Sequence, residues 1–320
     1  MSKKIFIWGA MFFLIFAGLV FAQDGKTKIA IIKSLNIKPY NVALDGFKAT
    51  LSKKGFKNIE FKEFDLGGNG KAANKIKIIS QIKNNNFDLI LTVGSGSTVF
   101  AKNNFKQIPI VFSMVLNPVA SGFIKSMKGN PGLNITGASL DIPIETQFKL
   151  LQDNVKSLKR IVVFYSPKET EDVVRRAEKV AKQLGFKFKA VPIATQKDIK
   201  RSLKDLISKE DALWGLADST VYSPQTTQFI ILETLRNKIP FMGVSSAFVK
   251  AGALIAPSCN YADIGRQSAE IALEIINGNN PSVIPISVPQ KIELSVNANT
   301  AKRINIVLSK DTLNKASNIY

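Results

Sequence analysis

Small residues with hydroxyl groups follow a buried, strand-like run in the first half of the chain. The run at 87–93 is largely apolar, and the segment 94–98 (Gly-Ser-Gly-Ser-Thr) comes directly after it, where a helix is predicted to begin. Backbone N–H groups at a helix start attract anions, and hydroxyl groups add hydrogen-bond donors. We therefore predict that Ser95, Ser97 and Thr98 bind an anionic group. The alternative is that one of these hydroxyls only caps its helix.

A similar turn occurs in the second half of the chain. Asp218 follows the apolar run 211–216 and is followed by Ser219 and Thr220. Its carboxylate is predicted to project into a cleft and to pair with a ligand ammonium, although a helix cap is again the alternative. Ser219 and Thr220 beside it are also ligand-binding candidates, as are Asn117, Tyr165 and Ser166 at equivalent turns or strand ends. Core packing is the competing interpretation for Tyr165.

The composition argues against catalysis. The chain has no histidine and a single cysteine, Cys259, which excludes histidine-based nucleophilic sites, nearly every zinc site and any intrachain disulfide. An enzyme acting on a small anion would need Asp or Glu as its base, and no cleft loop carries paired carboxylates. We expect no enzymatic activity, no cofactor and no metal.

The formal net charge is +20, from 44 Lys and Arg against 24 Asp and Glu. Such a charge suits nucleic acid or an anionic membrane surface. The lysines, however, are spread over the polar faces of predicted helices and form no basic block with interleaved aromatic residues. We therefore interpret the charge as a solvated surface and expect no nucleic-acid partner.

The chain begins like a secretory signal peptide. Lys3 and Lys4 precede the apolar run 5–21, and Ala22 ends it at the expected cleavage site. An uncleaved membrane anchor is the alternative, because the run approaches the length that spans a bilayer. No cysteine stands directly after the run, where a lipid would be attached, so we expect a free periplasmic protein without a lipid anchor.

The rest of the chain predicts two α/β lobes. Strand-like and helical segments alternate in β-α-β order, the order restarts at the strand Arg160–Tyr165, and each half implies a parallel sheet. Two such Rossmann-like lobes joined by a hinge form a clamshell, with the ligand beyond the carboxyl ends of the strands. The tail beyond Lys310 predicts one short helix. The domain boundaries we expect are 1–22 for the signal peptide, 23–139 plus about 258–283 for the N-terminal lobe, and 140–257 plus about 284–320 for the C-terminal lobe.

An ordered series of short motifs runs through nearly the whole mature chain and includes Asn117-Pro118-Val119, Gly132 to Gly137, Asp218 to Val221, Val249 to Leu254 and Gly265-Arg266-Gln267. This series resembles the ABC-transporter substrate-binding family, whose best-known members take up aromatic amino acids such as tryptophan. The resemblance implies a type I periplasmic-binding fold. It also adds the loop 243–246, with Ser245 and Ser246, to the residues that line the pocket.

These observations together predict a solute-binding component of an ABC importer. Its ligand is expected to be a small polar molecule such as an amino acid, including aromatic ones, and its partner an ABC permease in the inner membrane. We expect a monomer. The alternative is a sensory module whose closed form contacts a membrane receptor instead of a permease.

Overall fold

The structure is a computed structural model, and it describes residues 26–56, 58–67, 72–204 and 211–320. The predicted signal peptide, 1–22, lies outside these residues. Within the described ranges, no helix combines the length and the apolar character that a bilayer-spanning helix needs.

The first lobe is built on a five-stranded parallel sheet. The strand order is β2-β1-β3-β4-β5, as expected for successive β-α-β units. Its elements are β1 (Thr27–Lys33), α1 (Lys38–Lys53), β2 (Ile59–Asp65), α2 (Ala72–Lys83), β3 (Leu89–Val93), α3 (Ser95–Asn104), β4 (Ile110–Val115) and β5 (Ile135–Ser139).

The central strands are buried on both faces. All five residues of β3 are buried, and alternate residues belong to two separate apolar clusters, one on each side of the sheet. A strand covered by helices on both sides has no solvent-facing positions, which is why β3 is an almost unbroken apolar run rather than an alternating one.

The second lobe contains a seven-stranded sheet. Its elements are α4 (Ile144–Asn154), β6 (Arg160–Tyr165), α5 (Glu171–Gln183), β7 (Lys187–Pro192), α6 (Gln196–Lys204), β8 (Asp211–Trp214), α7 (Pro224–Arg236), β9 (Phe241–Met242), α8 (Ser246–Ala251), β10 (Ile255–Cys259), β11 (Ile292–Val296), α10 (Ala298–Arg303), α11 (Lys310–Lys315) and β12 (Ala316–Ile319). The order is β12-β11-β10-β9-β8-β6-β7, and only the pairing of β10 with β11 is antiparallel among the described strands.

The tail differs from the sequence-based prediction of a single helix. The short helix α11 is present, but the next four residues form β12, which pairs in parallel with β11. Ala-Ser-Asn-Ile has little strand propensity of its own, so the backbone of β11 rather than the local sequence determines this strand.

One helix returns to the first lobe. The helix α9 (Tyr261–Ile276) follows β10 and packs along α1. The two helices touch at glycines, because a Cβ atom at Gly265 would overlap the carbonyl oxygen of Ala43, and one at Gly46 would overlap that of Ala262. This close approach fixes α9 to the first lobe.

Within the described ranges, the chain passes from one lobe to the other at 139–144, at 259–261 and at 287–292. Cys259 Sγ lies 3.2 Å from the carbonyl oxygen of Leu140, which links the first two crossings, and Asn260 Nδ2 donates to Glu293 Oε1 at 2.7 Å. The chain is still on the first lobe at Ser287, whose N–H donates to the carbonyl oxygen of Gly137 at 3.0 Å. The third crossing therefore follows Ser287, a few residues after the expected boundary near 283.

Candidate functional site

A cavity of about 140 Å³ lies between the lobes, where the carboxyl ends of strands from both sheets meet. This is where ligands bind in open α/β sheets. The first lobe and the first crossing contribute Leu116, Asn117, Leu140, Asp141 and Ile142, and the second lobe contributes, among others, Gln147, Thr170, Val173, Arg176, Trp214, Leu216 and Val244. A wider outer chamber of about 790 Å³ opens beside it between α5 and the loop after β4. Arg176 lines both.

Asp141 provides a partly buried carboxylate in the cavity wall. The backbone N–H of Asn117 donates to both of its oxygens, at 2.9 Å to Oδ1 and 3.0 Å to Oδ2. Asn117 has φ = 48°, in the left-handed region that asparagine tolerates better than most residues. Burial raises the pKa of Asp141, against the opposing effects of the hydrogen bonds from Asn117 and Ser139 and of the positive charge on Arg176.

Arg176 provides a positive charge from the opposite lobe. The helix α5 buries Val173, Val174 and Ala177, which leaves Arg176 exposed toward the cleft. Its Nη2 lies 3.4 Å from Asn117 Oδ1, a long contact that joins the two lobes across the cavity.

Trp214 and its neighbours form an apolar wall. Trp214 ends β8, and its indole Nε1 donates to Gln147 Oε1 at 2.8 Å. The ring packs edge to face on Phe148, with 5.0 Å between ring centroids and 82° between planes. The indole is held on two sides, so this wall presents a fixed aromatic surface to a ligand.

The hydroxyls of the first predicted turn bond inside their own lobe. Ser97 and Thr98 are fully buried, and both donate to the carbonyl oxygen of Gly94, each at 2.9 Å. The Ser97 N–H also donates to Ser34 Oγ at 2.7 Å. Ser95 is exposed at the start of α3. None of these three candidates lines the cavity between the lobes in the described part of the chain.

Asp218 likewise bonds within its lobe. It is 3% exposed, and Oδ2 accepts from Ser166 N and Thr170 Oγ1, both at 2.7 Å. Oδ1 accepts from Thr220 N at 3.1 Å and from Val221 N at 3.0 Å. Four donors match the acceptor capacity of a carboxylate. In this structure Asp218 therefore ties two loops together behind the cavity wall, as a capping carboxylate does.

Glu169 draws Ser219 and Thr220 into the same network. Thr220 Oγ1 donates to Glu169 Oε1 at 2.6 Å, and Ser219 Oγ donates to Oε1 at 2.9 Å. The bond from Thr220 is the main reason that the pKa of Glu169 lies below its usual value. The structure thus brings Ser166, Asp218, Ser219 and Thr220 together, with Thr170 as their link to the cavity surface.

The remaining candidates are dispersed. Tyr165 packs against the core of the second lobe, and Ser245 and Ser246 follow the cavity-lining Val244 at the start of α8. Asn117 lines the cavity directly. Four residues that line the cavity were not predicted from the sequence: Asp141, Thr170, Arg176 and Trp214. Their only sequence signals were that Asp141 stands at the first predicted crossing and that Trp214 lies near the end of a buried strand.

Solved structures of similar fold support this architecture. The ligand-free, open structure of a substrate-binding protein with adhesive properties from Clostridium difficile has a TM-score of 0.77 and 26% identity, covering 91% of this chain and 98% of that one. The structure of a Streptococcus pneumonia ABC domain in complex with L-Trp has a TM-score of 0.66 and 19% identity, covering 92% of this chain and 100% of that one, a likeness that concerns the fold alone. The clamshell of type I periplasmic-binding proteins predicted from the sequence is confirmed.

Sequence comparison leads to the same group of proteins. A protein of Clostridioides difficile (strain R20291) named tyrosine-binding protein is 26% identical to this chain over 275 residues, which are 85% of this chain and 79% of that protein. Residues 28–320 match the family described as ABC transporter substrate binding protein. The resemblance seen in the short motifs is therefore confirmed, and the chain belongs to the family of ABC-transporter substrate-binding proteins.

Proposed function

We propose that this chain is the extracytoplasmic solute-binding component of an ABC importer and that it binds an amino acid in the cavity between its lobes. The observation that carries the proposal is the cavity itself, whose walls come from both lobes and combine apolar side chains with one carboxylate and one guanidinium. The relative named tyrosine-binding protein supports an amino acid, including an aromatic one, as the ligand.

The transport partner recognises the closed form of the protein. A ligand that contacts both walls binds the closed form better than the open form, and this difference in affinity drives closure. The partner we propose is an ABC permease in the inner membrane, and the protein acts as a free periplasmic monomer after removal of the signal peptide. Its role is to bind and deliver the ligand, without enzymatic activity and without a nucleic-acid partner.

A thermal-shift screen with the twenty amino acids tests the proposal. A ligand at 100 times its Kd stabilises the folded protein by about 2.7 kcal/mol, which is measurable as a higher melting temperature. Calorimetric titration of each positive ligand is expected to give one site per chain. A screen without any shift would contradict the proposal.

Two tryptophan variants show whether binding occurs in this cavity. Val244 is half-buried and lines the cavity, so Val244→Trp fills the space and is expected to abolish the shift. Val307 is 87% exposed and does not line the cavity, so Val307→Trp controls for the added indole. If both variants bound the ligand as wild type does, the ligand would occupy another site.

Uptake in cells tests the transport role separately. Deletion of the gene is expected to lower uptake of the radiolabelled ligand, and the wild-type gene, but not the Val244→Trp variant, is expected to restore it. Normal uptake in the deletion strain would argue for a sensory role instead.

A further inference from the structure

The charged groups in the cavity are few and of opposite sign. Among the described residues that line it, Asp141 and Arg176 are the two with ionisable, charged side chains. Asp141 belongs to the first crossing, beside the first lobe, whereas Arg176 belongs to α5 of the second lobe. The two charges therefore approach the cavity from opposite sides.

Both groups have hydrogen-bonding capacity left for a ligand. Asp141 accepts from the N–H of Asn117 and from the hydroxyl of Ser139, but a carboxylate has about four acceptor positions. Arg176 has five N–H donors, and its contact with Asn117 Oδ1 is long at 3.4 Å. In the described part of the chain, neither side chain belongs to an ion pair within 4.0 Å.

We propose that Asp141 binds the ammonium group and Arg176 the carboxylate group of the same α-amino acid, with the ligand side chain against the wall of Trp214 and Leu216. This inference rests on the proposed function, and it assigns the ligand's charged groups to particular residues. It also defines the ligand class as zwitterionic, because a simple amine or a simple carboxylate would leave one of the two charges unpaired.

Asn117 connects the two charges before the ligand binds. Its backbone N–H holds the carboxylate of Asp141, and its side-chain oxygen contacts Arg176. A ligand carboxylate is a stronger, charge-assisted acceptor for a guanidinium than an amide oxygen is. The ligand therefore replaces the amide of Asn117 at Arg176, and the zwitterion then bridges the two lobes.

The test removes one charge at a time from the protein and from the ligand. The probes are L-tyrosine, tyramine, which lacks the carboxylate, and 3-(4-hydroxyphenyl)propionate, which lacks the ammonium. The site variants are Asp141→Asn and Arg176→Gln. The control for the arginine change is Arg175→Gln, because Arg175 is the preceding residue of α5 and lines only the outer chamber. Asp172→Asn, also in the outer chamber, is the control for the aspartate change.

Loss of a charge-assisted contact is expected to weaken binding of L-tyrosine about 100-fold in each site variant. Arg176→Gln is expected to leave the affinity for tyramine almost unchanged, because that ligand has no carboxylate to lose. Asp141→Asn is expected to leave the affinity for the propionate almost unchanged for the corresponding reason. Both controls are expected to bind L-tyrosine like wild type.

The outcomes separate this inference from the proposed function. The assignment would be overturned, while the binding function stood, if wild type bound L-tyrosine and Arg176→Gln lowered the affinities for L-tyrosine and tyramine by the same factor. The same conclusion would follow if Asp141→Asn lowered the affinities for L-tyrosine and the propionate by the same factor. If wild type bound no amino acid, the proposed function itself would fail. If another amino acid is bound, its own decarboxylated and deaminated analogues replace the tyrosine set. Arg176 is exposed on its helix, so we expect Arg176→Gln to fold normally even if Asp141→Asn destabilises the crossing. Melting curves of all variants check this.

Discussion

Replacement of Asp218 by alanine distinguishes a structural carboxylate from a ligand-binding one. The substitution removes an acceptor of four hydrogen bonds, and three of the donors, Ser166 N, Thr170 Oγ1 and Val221 N, are buried. A hydrogen bond to a charged group contributes about 1.5–3 kcal/mol, but the contributions are not additive and water can reach some of the freed donors. We therefore expect the free energy of unfolding to fall by about 4 kcal/mol, comparable to the loss from breaking a buried charged network.

Two measurements on the same protein test this expectation. Urea unfolding followed by circular dichroism gives the change in free energy, and calorimetric titration at low temperature gives the ligand affinity of the folded fraction. Among the described hydrogen-bond donors to the Asp218 carboxylate, Thr170 is the one that lines the cavity, so the affinity is expected to change by less than about tenfold, or 1.4 kcal/mol. Asp172→Ala, an exposed carboxylate in the first turn of α5, is the control, with an expected loss below about 1 kcal/mol.

The opposite pattern would refute the structural interpretation. If Asp218→Ala kept the stability of wild type and lost ligand binding completely, its carboxylate would contact the ligand directly, as the sequence alone suggested. In that case the hydrogen bonds to Ser166 and Thr170 would have to break when the cleft closes.

Three further predictions concern packing and protonation. Gly265→Ala forces a Cβ atom onto the carbonyl oxygen of Ala43, so urea unfolding is expected to show a loss of about 3 kcal/mol or more, and a smaller loss would mean that α1 and α9 can separate easily. Tyr222 is buried, and in the described structure its hydroxyl has no hydrogen-bond partner. Tyr222→Phe is therefore expected to raise the free energy of unfolding by about 1 kcal/mol, whereas a lower free energy of unfolding would mean that the hydroxyl has a partner. Burial raises the pKa of Asp141, so its ionised form costs stability at neutral pH and this cost disappears as the pH falls through the raised pKa. Calorimetry from neutral pH to about pH 4 is expected to show weaker binding of an ammonium ligand in acid, and Asp141→Asn is expected to remove that dependence; an unchanged pH profile in the variant would assign it to another group.

The alternation of strands and helices could be read from the sequence because it depends on local patterns. Buried parallel strands are continuous apolar runs, and β6 (Arg160–Tyr165) has the bounds expected from its sequence. The strand β12 could not be found in this way, because its four residues are held by pairing with β11 rather than by their own preferences. Local patterns therefore identify the elements that carry their own apolar signal.

Most residues of the site could not be identified from local sequence patterns. A serine or threonine at a helix start has the same sequence signal whether its hydroxyl bonds to a ligand or, as for Ser97 and Thr98, to the preceding backbone. Asp141 and Arg176 are separated by 35 positions in the chain, and they line the same cavity because the first crossing and α5 border one cleft. No periodicity or spacing in the sequence indicates that these two residues line one cavity.

The return of α9 to the first lobe has a consequence for how the protein is made. The first lobe is incomplete until α9 exists, because α1 packs its glycine-bearing face on that helix. Synthesis proceeds from the N-terminus, so most of the second lobe must be translated before the first can close its core. A fragment ending at Ser139 would keep the whole first sheet yet expose the apolar surface around Phe47, and the two lobes are expected to become stable together rather than in succession.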